Sequence, residues 1–379
     1  MARGKKRRGR GGISKVKGRD LYVARYTVET DQGPKRKAIY HKDYEEVERQ
    51  LNQALADRGN GLVFDAGAMT VAEYMNRWLS DCAKGRVAHR TYDGYEQRIN
   101  DHINPGIGRI KLAKLSPANV QAFYTAKMNG GLVPGTVRAI YAVLHGALDQ
   151  AVKWNLIPRN PASSVDPPKL RQQEMTVLAQ HQARRLLDAA KGDRFECLYV
   201  LALMCGIRRG ELFGLKWSDI DLDARTLRIN RQLQRMRDGG GLHFSQPKNA
   251  SRRTIKLPQR AVDALRSHRK RQLEEQLRAG SNWQESGLVF TTTKGTPVDA
   301  QNVTARSFKP LLQRSGLPDI AFHGLRHSCA TLLLTKGIHP TYVQKLLGHQ
   351  SIRLTLDLYS HWMPPMGEQT AMAMEEALS

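Results

Sequence analysis

The residues with the clearest chemical potential lie in four short runs: Gly206-Ile207-Arg208-Arg209-Gly210-Glu211, His323-Gly324-Leu325-Arg326-His327, Leu347-Gly348-His349 and Leu358-Tyr359-Ser360-His361. They bring together arginines, imidazoles and a phenol, a set suited to attacking a phosphodiester without a metal. A phosphodiester is anionic at rest and gains charge on its nonbridging oxygens in the pentacovalent transition state. Guanidinium forks bind such oxygens bidentately and stay protonated, which makes Arg208 and Arg326 the candidate clamps. Arg209 is the competing register choice, because adjacent helix residues face different directions. A phenol is a competent nucleophile, but its ordinary pKa near 10 means that a developing phenolate needs a neighbouring cation or base. Tyr359, ten residues beyond His349, is the candidate. His323 precedes Arg326 by three residues, so on a helix the two share a face and can address one phosphate.

Several elements must position these groups. Leu21 to Val28 alternates in polarity and, after a turn from Asp31 to Pro34, alternation resumes from Lys35 to Tyr40, which predicts a hairpin. A helix follows over about 44–58, with Val47, Leu51, Ala54 and Leu55 on one face. The basic strand face of this module suits a DNA major groove. Thr70-Val71-Ala72-Glu73 is a capping box after a glycine-containing linker, and a second helix is expected over 89–104, stopped by Pro105 and Gly106. Ser116 with Pro117 starts a third helix, and 134–154 supplies a fourth. Lys84, Arg86, Arg90, Arg98, Lys111, Lys114, Lys127 and Arg138 are spread through this block as candidates for a DNA-facing surface. Residues 162–175, rich in Ser and Pro with few apolar anchors, are expected to link it to a larger helical domain. In that domain, helices over about 180–190, 194–205 and 210–216 precede strands over 226–233 and 253–257, and helices return over 259–278 and from 301 onward.

Composition points to the same class of partner. Lys and Arg number 60 against 35 Asp and Glu, a formal charge of +25, which implies salt-sensitive binding to a polyanion. A membrane surface would satisfy the same charge, but there is no long apolar run, no basic amphipathic helix beside a lipid anchor and no signal-peptide core, so a cytoplasmic, nucleoid-associated protein is expected. Nine Lys or Arg within 1–19 predict a solvated basic arm that orders against phosphates. Cys82, Cys197, Cys205 and Cys329 lack Cys-x-x-Cys spacing and are expected as small hydrophobes. No metal or other cofactor is expected.

With these runs in order and at this spacing, the chain resembles the tyrosine recombinase family, specifically site-specific integrases of temperate phages or integrative elements of Gram-positive bacteria. Gln246-Pro247-Lys248, ahead of a basic strand, adds to the resemblance. It implies that Lys248 is the general acid that protonates the leaving 5′-oxygen, with Lys256 as the alternative. Pro247 stands where the family more often has Thr, a change that restricts the backbone and not the lysine side chain. His323 is implied to assist proton transfer or to bind the scissile phosphate, and His349 to donate to a nonbridging oxygen. His327 and His361 are expected as structural supports, and Glu211 either buttresses Arg208 or serves as a first-turn acid.

The implied fold is multidomain and mainly α with α+β modules. After the basic arm (1–19) come a small strand-and-helix arm-site DNA-binding domain (20–62), a four-helix core-binding domain (70–161) and a linker (162–175). A mixed but mainly helical tyrosine-recombinase catalytic domain (176–362) and a C-terminal tail (363–379) complete the chain. That tail is expected to form a short helix, docking on a neighbour or lying on its own subunit. The implied activity is strand exchange between attachment sites through a 3′-phosphotyrosine and a Holliday junction, without ATP. The implied partners are double-stranded attachment-site DNA, three further copies in a homotetramer, and an excisionase or host DNA-bending protein. Two rival readings are a type IB topoisomerase, which reseals the original strand, and a noncatalytic DNA-binding protein.

Overall fold

The computed structural model describes residues 12–30, 33–59, 68–170, 175–235, 241–246, 252–359 and 367–379. The chain divides into two compact units, Met1–Gln172 and Gln173–Ser379.

In the first unit, β1 (Gly12–Lys15), β2 (Tyr22–Thr30) and β3 (Gly33–His41) form an antiparallel sheet in that order, followed by α1 (Tyr44–Gly59). The predicted hairpin and helix are present. The arm expected over 1–19 differs in its last third: Gly12–Lys15 pairs with β2 in the register Ile13↔Ala24. Backbone pairing at a hairpin edge needs no apolar side chains. Ile13 then packs beside the small core of Ala24, Val47 and Leu51.

A second apolar cluster gathers five further helices of this unit: α2 (Val71–Trp78), α3 (His89–Arg98), α4 (Asn104–Ile107), α5 (Pro117–Asn129) and α6 (Pro134–Lys153). The predicted box caps α2, with Thr70 N–H donating to Glu73 Oε2 at 2.7 Å and Glu73 N–H to Thr70 Oγ1 at 3.3 Å. Ser116 caps α5 with Pro117 in its first turn. Pro105 does not stop the helix as expected. A widened π turn at Ile99–Ile103 intervenes, and Pro105 opens α4, where its missing N–H is not needed. The segment expected to start the linker also contributes to this core, because Ala162 and Val165 are buried in it. Of the eight basic residues noted in this block, Lys84, Arg86, Arg90, Lys111, Lys114 and Arg138 are exposed. Arg98 instead donates to the carbonyl of Gly94, and Lys127 lies over the Phe123 ring.

The second unit is built around a buried helix. It contains α7 (Gln180–Ala189), α8 (Glu196–Cys205), α9 (Arg209–Phe213), α10 (Gln259–Ala279), α11 (Ala300–Val303), α12 (Lys309–Arg314), α13 (Gly324–Thr335), α14 (Pro340–Leu347), α15 (Ile352–Tyr359) and α16 (Gly367–Leu378). The helix α8 is apolar on nearly every side and packs between α10 and α13, as an all-round hydrophobic helix must. Strands β4 (Ile220–Asp221), β5 (Thr226–Ile229), β6 (Gln232–Arg235), β7 (Leu242–Ser245) and β8 (Arg253–Lys256) make two sheets, β4-β5-β8 and the hairpin β6-β7. The single strand expected over 226–233 is thus two, broken at Asn230 and Arg231. Both of these side chains turn to the buried carboxylate of Asp219. Cys197, Cys205 and Cys329 are buried and all four cysteines are free thiols. No helix among the described residues is long and apolar enough to cross a membrane.

Candidate active site

The site assembles around the C-terminus of α14. A helix ends with carbonyls that lack intrahelical partners, and its dipole makes that end attractive to cations. Here three successive carbonyls are each taken by a different arginine: Leu346 by Arg253 Nε, Leu347 by an Arg326 terminal nitrogen and Gly348 by an Arg208 terminal nitrogen, all at 2.7 Å. Gly348 adopts φ +65°, the left-handed turn that ends α14 and presents these oxygens. A second left-handed glycine, Gly206 at φ +60°, ends α8, and its carbonyl accepts Arg326's other terminal nitrogen at 2.7 Å. Arg326, on the first turn of α13, is thereby fixed between two helix ends and is only 2% exposed.

One carboxylate serves this cluster. Glu211 lies in the first turn of α9, buried, and accepts from Arg208 at 2.9 Å and from Arg253 at 2.8 and 3.2 Å. It also accepts the Arg208 backbone N–H, so Arg208 is both the cap residue of α9 and an ion-pair partner. Burial pushes the Glu211 carboxyl up, but hydrogen bonds and charges from Arg253 and Arg208 outweigh that and hold it below the usual range. Burial, then Arg208 and Arg253, bring the pKa of Arg326 down to about 9, still far enough above neutrality to keep it a cation. Three guanidiniums near one carboxylate leave an uncompensated positive charge in the site.

The imidazoles and the phenol close the arrangement. His323 immediately precedes α13 and its ring meets His327 edge-on, centroids 4.7 Å apart. Its surroundings, followed by the charges of His327, Arg326, Arg208 and Arg209, lower its pKa to about 4 although the residue as a whole is exposed. His349 pairs through Nδ1 with the hydroxyl of Thr355 at 2.9 Å, and burial, then Arg326 and Arg208, take it down to about 3. Both rings are therefore neutral at pH 7. Tyr359, the last residue of α15, is 1% exposed, with its hydroxyl 2.5 Å from His327 Nδ1. Burial pushes the phenol up to about 12 against the opposing pull of the Arg326 charge.

Arg208, His323, Arg326, His349 and Tyr359 thus come together from four separate runs. Lys248 lies outside the described residues, between Gln246 and Arg252. Lys256 belongs elsewhere: strand side chains alternate, and it stands on the exposed face of β8, donating to the carbonyl of Ala224. His361 also lies outside the described residues, whereas His327, expected as a support, contacts the phenol oxygen itself. Arg253 was not singled out in the sequence. The available signal was its phase with the buried Ile255 and Leu257, which places a charge on the inward face of a strand.

Residues 176–364 match the Phage integrase family, and residues 70–128 match the Phage integrase N-terminal SAM-like domain. A tyrosine recombinase XerC-like protein of Caldanaerobacter subterraneus subsp. tengcongensis is 30% identical over 367 residues, spanning 92% of this chain and 94% of the relative. An integrase of Streptomyces ambofaciens is 29% identical, spanning 97% and 96%. Among solved structures, the Tn1549 transposon integrase in complex with transposon right end DNA superposes with a TM-score of 0.69 at 22% identity, over 82% of this chain and all of that one. A lambda integrase tetramer bound to a Holliday junction gives 0.58 at 19% identity, over 89% and 95%. At those identities the structures speak for a shared fold. The full-length sequence relationship goes further: this chain belongs to the phage integrase, or tyrosine recombinase, family.

Proposed function

We propose that the protein catalyses site-specific strand exchange between DNA attachment sites, integrating and excising a mobile element. The observation that carries this reading is the arginine cluster, which shares one carboxylate among Arg208 and Arg253 and includes Arg326, whose charge acts on the buried phenol of Tyr359. A scissile phosphate supplies the missing negative charge. Arg208 and Arg326 each spend part of their donor set on backbone carbonyls, which fixes the guanidinium planes, and turn remaining donors to the nonbridging oxygens. Thr355 Oγ1 holds Nδ1 of His349 at 2.9 Å, which leaves Nε2 to face a phosphate oxygen, and His323 addresses the same group from the start of α13.

Tyr359 Oη attacks phosphorus, the bond to the 5′-oxygen breaks, and Lys248 gives that oxygen a proton. A 5′-hydroxyl from the partner duplex then attacks the 3′-phosphotyrosine and releases Tyr359. Bond energy is retained in the covalent intermediate, so ATP is not consumed. Exchange of both strands needs four active sites, hence a homotetramer on two synapsed duplexes, with a Holliday junction between the two exchanges. An excisionase or a host DNA-bending protein fits as the accessory that sets direction.

The test is to incubate the protein with paired attachment sites and with supercoiled plasmid. Wild type should form a covalent protein–DNA adduct and recombinant product, and Tyr359→Phe should form neither while still binding DNA. Relaxation without exchange, or an adduct that survives Tyr359→Phe, overturns the reading.

A further inference from the structure

The phenol of Tyr359 needs somewhere to send its proton. Pushed up to about 12, it is ionised at pH 7 in only about one molecule in 10⁵. The surrounding side chains are mostly apolar: Ala330 and Leu334 from α13, Val343 and Leu347 from α14, with Met175 and Leu333 at the edge. The hydroxyl's partner is the imidazole of His327. That ring is carried on α13 by the residue after Arg326, whose side chain is pinned between two helix ends.

We propose that His327 is a further catalytic residue, the base that takes the proton of Tyr359 during cleavage and returns it on religation. This rests on the strand-exchange reading given above. Each group facing the imidazole has a consistent part. Tyr359, from α15, has a hydroxyl proton to give, and the ring nitrogen is the acceptor within reach. Burial, then the charge of Arg326 on the same helix, lower the pKa of the imidazole, which keeps it neutral and so able to accept. His323, edge-on to His327 from the start of α13, and His349, whose Nδ1 is paired with Thr355, are neutral as well, but the nitrogen placed against the phenol oxygen is Nδ1 of His327.

The step balances. As the bond from Oη to phosphorus forms, the Oη proton passes to Nδ1 of His327, and the 5′-oxygen leaves with a proton from Lys248. When a 5′-hydroxyl later attacks, its proton returns to Lys248, the phosphorus–Oη bond breaks, and Oη recovers its proton from His327. The imidazolium exists only while the phosphotyrosine does, when the phosphate charge held by Arg208 and Arg326 offsets it. This leaves His323 to the phosphate rather than to the nucleophile. It also explains why two histidines stand one helical turn apart across Arg326.

The experiment uses the full chain and a nicked attachment-site duplex that traps the covalent adduct, so that a single turnover of cleavage is read. His327→Asn retains an acceptor near the position of Nδ1 but cannot take a proton. It should bind the duplex as wild type does and cleave about 10²- to 10⁴-fold more slowly, the usual loss for a general base. Placing 3,5-difluorotyrosine at position 359 makes the phenol more acidic. It should restore cleavage by His327→Asn at least about tenfold and change wild type little, because an acidic phenol no longer needs the base. His327→Ala supplies a second measurement, in which added imidazole should speed cleavage. Cleavage by His327→Asn within about threefold of wild type overturns the proposal, as does a defect that neither the fluorinated phenol nor imidazole relieves. Failure of the underlying reading looks different: wild type itself would form no adduct, or would form one without Tyr359.

Discussion

Glu211→Gln is the most direct probe of how this site is held together. The substitution preserves shape and leaves an oxygen for the Arg208 N–H, so the cap of α9, a contribution of about 1 kcal/mol, is largely spared. What disappears is the charge that Arg208 and Arg253 share. Arg253 is almost fully buried, its side chain 8% exposed, whereas Arg208 is 33% exposed and better solvated. Stranding a buried charge costs about 3–5 kcal/mol, and the Arg253 side of the network sets the loss while the Arg208 side adds less. For a unit of this size that corresponds to a fall in Tm of roughly 6–20 °C. The carboxyl is held below its ordinary range, so its stabilisation is present above about pH 4.3 and is lost as pH falls through the depressed value. The difference between wild type and variant should therefore close in acid. Duplex DNA should raise the Tm of Glu211→Gln more than that of wild type, because a phosphate replaces part of the missing charge. Thermal unfolding across pH, with and without duplex, is the assay. A variant within about 2 °C of wild type at pH 7 would refute the claim that this carboxylate offsets the arginine cluster.

Three further outcomes are expected. Gly206→Ala strains a left-handed position, by roughly 1–2 kcal/mol, and drives its methyl to 2.5 Å from Leu347 Cδ2. Chemical unfolding should show a larger loss than the backbone strain alone, and cleavage should fall because the Gly206 carbonyl holds Arg326. Thr70→Ala removes one half of the α2 capping box and should lower the stability of the helical block by about 1 kcal/mol, read by hydrogen exchange in the first turn of α2. Finally, His323 and His349 titrate near 4 and 3 in the folded state against about 6.5 unfolded, so their contribution is complete above about pH 6.5 and declines toward those lower values. The urea midpoint of the second unit should fall between pH 7 and pH 5, and His349→Gln should make that decline shallower.

The amino-acid sequence by itself determined the chemistry and most of the elements. Arg208, Arg326, His349 and Tyr359 stand in short runs whose spacing survives without knowledge of the fold. The caps at Thr70 and Ser116 are local hydrogen-bonding choices, legible wherever a polar residue precedes an apolar helix. Local rules failed where a neighbour decided. Pro105 reads as a stop until a π turn accommodates it, and Gly12–Lys15 reads as polar arm until a hairpin edge accepts its backbone.

Only the tertiary structure decided which groups meet. No periodicity announces that three arginines, from the cap of α9, from α13 and from β8, will divide the last carbonyls of α14 among them, because those oxygens exist as acceptors only once a helix ends there. The same holds for the proton of Tyr359. Sequence spacing places a phenol after a histidine-rich run, but the packing of α15 on α13 selects His327, rather than His323, to sit against it. Residue type is a local property, whereas charge balance and proton path are properties of the assembled site.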